Sequence, residues 1–391
     1  MTENETQPVE LSVVLPCLNE ADTLATCIGK AQQSFEACGI VGEVVVSDNG
    51  SNDGCPEIAE RCGARVVHVE QRGYGSALMG GIAAARGRFI LMGDADDSYD
   101  FLEIPRFVES LRQGNELVQG CRLPSGGGHV MPGAMPFLHR WLGNPLLSAL
   151  ARGMFRVRVH DAYCGMRGFT KELYDRLDQR CTGMEFATEM IIKSSLHGAR
   201  IAEVPITLHP DGRKHHGPHL RTFRDGWRTL RFFLLSSPRW LFLVPGAVLL
   251  CFGLVGYALA LSRFQIGGAT LGPHTLLVAS LAVLMGFQSI LFAILSKTFA
   301  VSVGLLPPDP GLDRFYHIAT LERGLLIGAV AFLVGLCLIG RVAWHWHAAG
   351  YGPLDYELTM RWVIPGVTLG ALATQLVLSG FFVSMLGMNR R

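Results

Sequence analysis

The sequence predicts an α/β domain built on a mainly parallel sheet, followed by four transmembrane α-helices. Three observations predict it. Only 17% of the 391 residues are charged, against roughly 25% in a typical soluble domain, and just thirteen of the Lys, Arg, Asp and Glu residues lie beyond Arg239. Four long apolar stretches occupy that charge-poor part. The part before it alternates short β-rich runs with helix-compatible segments, the order that gives a parallel sheet covered by helices on both faces. A disordered chain, a small disulfide scaffold and a single soluble globule are excluded.

Each element follows from local pattern. Residues 1–10 are polar and acidic without an apolar core, so they read as a tail and no cleavable signal peptide is expected. Residues 11–15, 44–47, 65–69, 88–92 and 117–120 are short apolar runs suited to five strands. Residues 20–38 and the Gly/Ala-rich 76–86 suit helices. The first domain is expected over 11–210. Over 211–239, Arg213, Lys214, Arg221, Arg224, Arg228, Arg231 and Arg239 face only Asp211 and Asp225. There Leu220, Phe223, Trp227, Leu230 and Leu234 recur at helical spacing, as in a basic amphipathic helix lying at a membrane surface. A positive-inside flank with no part in chemistry fits the same pattern. Residues 136–155 are apolar with Arg140, Trp141 and Arg152 among them, and suit a membrane-surface helix or a core helix equally.

The membrane domain, 240–391, carries spans at about 240–261, 275–303, 325–346 and 363–386, each long enough for the roughly 20 residues that cross the hydrocarbon. Basic residues gather before the first span, between the second and third (Arg314, Arg323) and at Arg390-Arg391. That bias places the first domain, the middle loop and the C-terminus in the cytoplasm. Arg341, beside Trp344 and Trp346, can snorkel to the interface. The ten cysteines show no Cys-x-x-Cys pair and no zinc spacing, so they read as reduced thiols suited to a cytosolic face. A net charge of +1 gives no basis for nucleic-acid binding, and none is expected.

Polar motifs sit at the expected strand ends, where ligands bind in such sheets. The first strand runs into Pro16-Cys17-Leu18-Asn19-Glu20 and the second into Ser47-Asp48-Asn49-Gly50-Ser51-Asn52-Asp53-Gly54. Acids at two neighbouring strand ends suit a base edge and a ribose hydroxyl, although the second motif is also turn and helix-cap chemistry. Arg72-Gly73-Tyr74-Gly75-Ser76 precedes a helix, where glycines let backbone amides approach a phosphate; a flexible loop competes evenly. The fourth strand enters Gly93-Asp94-Ala95-Asp96-Asp97, and strand spacing would put Asp94 and Asp96 on one side. Two such carboxylates repel unless a cation such as Mg²⁺ or Mn²⁺ lies between them; the alternative is an acidic surface turn.

In this order and spacing, Leu-Pro-x-x-Asn-Glu, the Asp48 turn, Arg-Gly-Tyr-Gly and Asp-x-Asp resemble a family 2 glycosyltransferase, and within it the polyprenyl-phosphate branch of dolichol-phosphate mannose synthases and undecaprenyl-phosphate glucosyltransferases. The resemblance covers about residues 10–235. It implies a nucleotide-sugar-binding, Rossmann-like domain at the plasma (inner) membrane. Pro16, Asn19, Glu20, Asp48, Asn49, Arg72, Gly73 and Asp94 would hold the nucleotide sugar, and Asp94 and Asp96 the metal. Gly120-Cys121-Arg122, Arg140 with Asn144, Asp161, Gly165-Met166-Arg167, Glu185 and Glu189 are further family-like pieces. The chain departs from the pattern with Asp97 where members often carry Leu, and with Gly217-Pro218-His219-Leu220 in place of Gly-x-Ser-Lys.

A polyprenyl phosphate suits the acceptor side, its head meeting Arg122, Arg140, Arg213 or Lys214. A phosphate oxygen is already anionic at neutral pH and needs no strong base. The work left to the protein is positioning and charge neutralisation, for which Asp94, Asp96, Arg122 and Arg140 are the catalytic candidates. His215, His216 and His219 match no trusted metal spacing and suit a basic loop. The expected reaction is inverting transfer of one hexose, UDP-glucose leading and GDP-mannose following. A homo-oligomer is compatible with the sequence. Two other readings compete with it. A processive synthase usually shows Gln-x-x-Arg-Trp, and here Ser236 stands three before Arg239-Trp240. A non-enzymatic lipid carrier or flippase partner would leave Asp-x-Asp idle.

Overall fold

The computed structural model describes residues 8–213 and 222–388, and the chain divides into two compact units, one ending at Phe233 and the other beginning at Leu234. The first unit runs β1 (Leu11–Cys17), α1 (Leu24–Cys38), β2 (Gly42–Asp48), α2 (Cys55–Arg61), β3 (Arg65–His68), α3 (Tyr74–Ala84), β4 (Phe89–Met92), α4 (Ile104–Arg112), β5 (Leu117–Cys121), β6 (His129–Val130), α5 (Asn144–Phe155), β7 (Arg167–Thr170), α6 (Lys171–Leu177), α7 (Glu185–Leu196), β8 (Ile201–Pro205), β9 (Thr207–Leu208) and α8 (Thr222–Ser236). Seven strands form one sheet in the order β3-β2-β1-β4-β7-β5-β8.

β1 pairs in parallel with β2 and β4, β2 with β3, and β5 with β8. Register sets Pro16 opposite Ser47, Cys17 opposite Asp48 and Val14 opposite Met92, so the carboxyl ends of β1, β2 and β4 open on one edge. Alternate residues of β1 feed two cores, Val13 and Leu15 with Ile28 and Phe107 on one face, Val14 with Leu78, Ile82 and Phe186 on the other. Burial on both faces is why β1 reads as an unbroken apolar run.

Three features of the main sheet differ from the sequence expectation. β8, parallel to β5, was not expected. Nor was β7, which is antiparallel to β4 and β5. It is four residues long and opens on Arg167, which is fully buried and donates to the carbonyls of Ala187 and Cys164, so no apolar run marks it. β4 ends at Met92, so Asp94 and Asp96 lie in the following turn and strand alternation is not what aligns them.

The second unit contains α9 (Val244–Leu261), a small hairpin of β10 (Gln265–Ile266) and β11 (Ala269–Thr270), α10 (Pro273–Ser302), α11 (Pro310–Ile318), α12 (Leu321–Ala348) and α13 (Tyr356–Met388). Four helical stretches, Arg239–Leu261, Pro273–Ser302, Leu321–Ala348 and Tyr356–Gly387, are long and apolar enough to cross a membrane. They fall on the four expected spans and mostly outrun them, because the flanking turns continue the helices. Lipid gives no hydrophobic drive between helices, so close backbone approach at small residues holds such units together. A Cβ on Gly286 of α10 would lie 2.5 Å from the amide nitrogen of Leu250 on α9. Tyr257, Ser280 and Thr368 join α9, α10 and α13 through a closed trio of hydroxyl hydrogen bonds of 2.6, 2.9 and 3.0 Å. A Gly286→Leu variant should therefore lose about 1–3 kcal/mol of stability through overpacking, seen as a lower melting temperature in detergent.

Candidate active site

The edge opened by β1, β2 and β4 gathers most of the expected residues. Just past β1, Glu20 is buried and its carboxylate accepts three short hydrogen bonds from the Arg213 guanidinium, at 2.6, 2.9 and 3.1 Å. The same guanidinium lies 3.2 Å from Asp96 Oδ2, while Asp96 Oδ1 accepts from the Ser98 amide and hydroxyl at 3.1 and 2.6 Å. Asp94 accepts from the Tyr74 hydroxyl at 2.9 Å. Burial first, and then the negative charge of Asp96, push the Asp94 carboxyl up to about 6, with Tyr74, Arg213 and Arg122 pulling the other way. Asp94, Asp96, Glu20 and Arg213 thus form one electrostatic cluster. Arg213, expected on the acceptor phosphate, pairs here with acids expected on the donor side. Asp97, the departure from the family pattern, pairs with Lys30 at 2.8 Å and adds no fourth carboxylate to the cluster.

The second strand end is tied mainly to itself. Asp48 accepts from the amides of Gly50 and Ser51 and lies 3.4 Å from His68; burial raises its pKa, but the Ser51 and Gly50 hydrogen bonds outweigh that and hold it below the usual value. Asn19, with φ of 61°, accepts from the Asn52 amide and donates its own amide to Ser51, which locks the first motif to the second. Asn49 donates to the carbonyls of Val69 and Gln71 and accepts from the Gly73 amide, so it shapes the loop that carries Arg72. Gly73 and Gly75 have a packing reason: a Cβ on either would lie 2.3 Å from a backbone oxygen, of Thr182 and Cys181 respectively. Glu189, which accepts from the amides of Arg180 and Cys181, steadies that opposing segment. Pro16 is the penultimate residue of β1, beside this edge, and Arg72 is exposed over Gly50.

On the other side, Arg122 at the end of β5 is buried in a bidentate pair with Asp161, Nε–Oδ2 2.7 Å and Nη2–Oδ1 3.0 Å, with Nη1 3.5 Å from the Tyr99 hydroxyl. Arg140 stacks on Trp141, 5.3 Å from the ring centroid, and its Nε is buried without a partner among the described residues. Burial and the Arg122 charge push His139 down, which puts this turn within electrostatic reach of Arg122. Lys214, Arg221 and the 215–220 stretch, with His215, His216 and His219, lie outside the described residues. Sequence reasoning missed the Tyr74–Asp94, Arg122–Asp161 and Arg213–Glu20 contacts; only their separate motifs were visible.

A divalent ion fits this edge. The Asp94–Asp96 repulsion marks a place where positive charge is stabilising, both groups are hard oxygen donors, and Arg213 already supplies a cation there. No group of three or more His, Cys, Asp or Glu converges as a metal cage among the described residues.

Two family descriptions match: "Glycosyl transferase family 2" over residues 12–178 and "Glycosyltransferase family 2 C-terminal transmembrane region" over 294–387. The Haloferax volcanii low-salt glycan biosynthesis hexosyltransferase Agl6 is 38% identical over 378 residues, 96% of this chain and 89% of that one. The chain belongs to glycosyltransferase family 2. With four apolar helices and the family's transmembrane region, this glycosyltransferase is an integral membrane protein. A dolichyl-phosphate hexose transferase from the same organism is 32% identical over 198 residues, half of this chain and 82% of that one. Glucosyl-3-phosphoglycerate synthase from Mycobacterium tuberculosis, solved with Mn²⁺, uridine diphosphate and glucosyl-3-phosphoglycerate, is 26% identical with a TM-score of 0.45, covering 58% of this chain and 79% of that one; so loose a likeness assigns no role to a residue here.

Because the folded state holds the Asp94 proton more tightly than the unfolded chain does, Asp94 contributes stability that is present below about pH 4 and lost as pH rises through about 6. Without divalent ions, Asp94→Asn should be more stable than the parent by about 2–3 kcal/mol above pH 6, and the gap should close below pH 4; denaturant titrations across that range check it.

Proposed function

We propose that this glycosyltransferase moves a single hexose, with inversion, from a nucleotide sugar to the phosphate of a polyprenyl phosphate, UDP-glucose being preferred to GDP-mannose. The observation that carries the proposal is the cluster of buried Glu20 and Asp96 with half-buried Asp94 at the carboxyl edge of β1 and β4, faced by arginines, in a chain anchored in a membrane. The names of two relatives support the substrate class: one is a hexosyltransferase of glycan biosynthesis and the other a dolichyl-phosphate hexose transferase. The preference for glucose rests on likeness to the glucosyl branch alone.

In this proposal Pro16, Asn19, Glu20, Asp48, Asn49, Arg72 and Gly73 line the nucleotide-sugar side. Glu20 accepts from nucleoside hydroxyls once Arg213 releases it. Asn19 and Asn49 act by shaping the two loops, as their hydrogen bonds within the chain require. Asp94 and Asp96 would hold Mg²⁺ or Mn²⁺, which supplies positive charge beside the departing diphosphate. Arg122, Arg140, Arg213 and Lys214 orient the acceptor phosphate and screen its charge against the diphosphate. Arg122 is held for that task by Asp161, and a fixed guanidinium needs no reorganisation as charge moves. The attacking oxygen is anionic already, so no side chain need take its proton. The positive-inside bias puts the catalytic unit and the C-terminus on the cytoplasmic side.

The test is full-length protein in detergent or vesicles, with undecaprenyl or dolichyl phosphate, Mg²⁺ or Mn²⁺, and a panel of labelled nucleotide sugars. One labelled, organic-extractable product is expected, and Asp96→Asn should lower its rate by about 10²–10³-fold. No extractable product from any donor, or polymer formed from nucleotide sugar alone, would overturn the proposal.

A further inference from the structure

Tyr99 follows Asp94 and Asp96 in the same turn, and its hydroxyl touches the Arg122 side of the site. The turn is fixed from outside. Tyr99 bridges Leu208 of β9, the Ser98 carbonyl accepts from the His209 amide at 2.9 Å, and the Asp96 carbonyl accepts from the Gly212 amide at 2.9 Å. The Tyr99 ring is buried in the core that holds Phe101, Cys164 and Met166. Phenylalanine would fill that space as well, so the hydroxyl is the part that needs a reason, and a buried tyrosine hydroxyl requires a polar partner. Its oxygen accepts from the Gly165 amide at 2.8 Å, and Arg122 Nη1 lies 3.5 Å away, at the outer limit of a hydrogen bond.

Arg122 gives that contact its meaning. Asp161 takes Nε at 2.7 Å and Nη2 at 3.0 Å, and the Arg122 amide donates to the same carboxylate at 3.1 Å. Nη1 is the guanidinium nitrogen that Asp161 leaves over, and the Tyr99 hydroxyl is beside it. Nη1 is therefore the nitrogen placed to donate to an anionic oxygen. Gly165 stands at the same junction. A Cβ there would lie 2.9 Å from Asp94 Oδ2 and 3.0 Å from the Tyr99 hydroxyl, so both groups border one small space. Gly165 does not have a positive φ, so close approach rather than backbone conformation is the reason for glycine.

We propose that Tyr99 is a positioning residue for the acceptor: its hydroxyl holds Nη1 of Arg122 in place for the acceptor phosphate, and Gly165 leaves Asp94 and Tyr99 the room to lie together. The inference rests on the reading of Arg122 as a residue of the acceptor side. Tyr99 acts through Arg122 alone, because a nitrogen already held in its bound position loses less freedom when the phosphate arrives. Gly165 acts on both sides, because a side chain there would press on Asp94 as well as on the hydroxyl.

The test is steady-state kinetics of full-length protein in detergent, with undecaprenyl phosphate, Mn²⁺ and the labelled nucleotide sugar that the parent uses, beside Mn²⁺ binding and melting temperature. Tyr99→Phe keeps the ring and should raise the KM for undecaprenyl phosphate about tenfold. The donor KM, Mn²⁺ affinity and melting temperature should stay as in the parent. Gly165→Ala should raise the acceptor KM and weaken Mn²⁺ binding as well. In an Arg122→Lys background, which keeps the charge and removes Nη1, Tyr99→Phe should add nothing further; the same rise there would overturn action through Arg122. Tyr99→Phe decides alone where the other variants fail to fold. An unchanged acceptor KM in Tyr99→Phe, with or without a lower melting temperature, would overturn the inference and leave the transfer reaction standing. A raised donor KM or weaker Mn²⁺ binding with a normal acceptor KM would put Tyr99 on the donor side and overturn it too. No transfer by the parent to undecaprenyl phosphate from any donor would overturn the acceptor reading and this inference with it.

Discussion

Several buried carboxylates at one sheet edge must be neutralised, and the rest of this site depends on how. Taking an ion out of water is unfavourable by several kcal/mol unless it is paired and hydrogen-bonded. Glu20 and Asp96 meet that condition through Arg213, and Asp94 meets it only partly, through Tyr74, which is why its carboxyl holds a proton to about pH 6. Arg213 supplies positive charge to this edge. In the proposed reaction a divalent ion with the diphosphate would take its place there, and the freed guanidinium would turn to the acceptor phosphate.

Much of this was legible in the sequence. Five strands appeared as apolar runs because sheet strands covered on both faces are continuous in hydrophobicity, and four spans because lipid demands length without charge. β7 was not legible, since its first residue is a buried arginine satisfied by carbonyls rather than an apolar side chain. Among the site residues, the motifs that lie at strand ends were legible as types. Their pairings were not: Glu20 and Arg213 are 193 positions apart and Arg122 and Asp161 are 39, and no local pattern carries such a contact. Asn19, Asn49 and Gly73 were expected to touch ligand, and their contacts within the chain give them a prior task in shaping the loops.

In the proposed reaction membrane attachment would do more than tether: the acceptor head lies at a fixed depth, so the catalytic edge must be held at that depth. Within the first unit, α5 shares an aromatic contact, Phe155 on Phe233, with the helix that leads to the first span. In the second unit, glycine contacts and a hydroxyl trio provide the specificity that lipid cannot.

The central claim, that Arg213 and a divalent ion compete for the same buried acids, is tested most directly by titrating Mn²⁺ into full-length protein and into Arg213→Gln, following free Mn²⁺ by electron paramagnetic resonance. The account predicts tighter Mn²⁺ binding in Arg213→Gln and loss of that binding when Asp96→Asn is added. Unchanged or weaker binding in Arg213→Gln would contradict it.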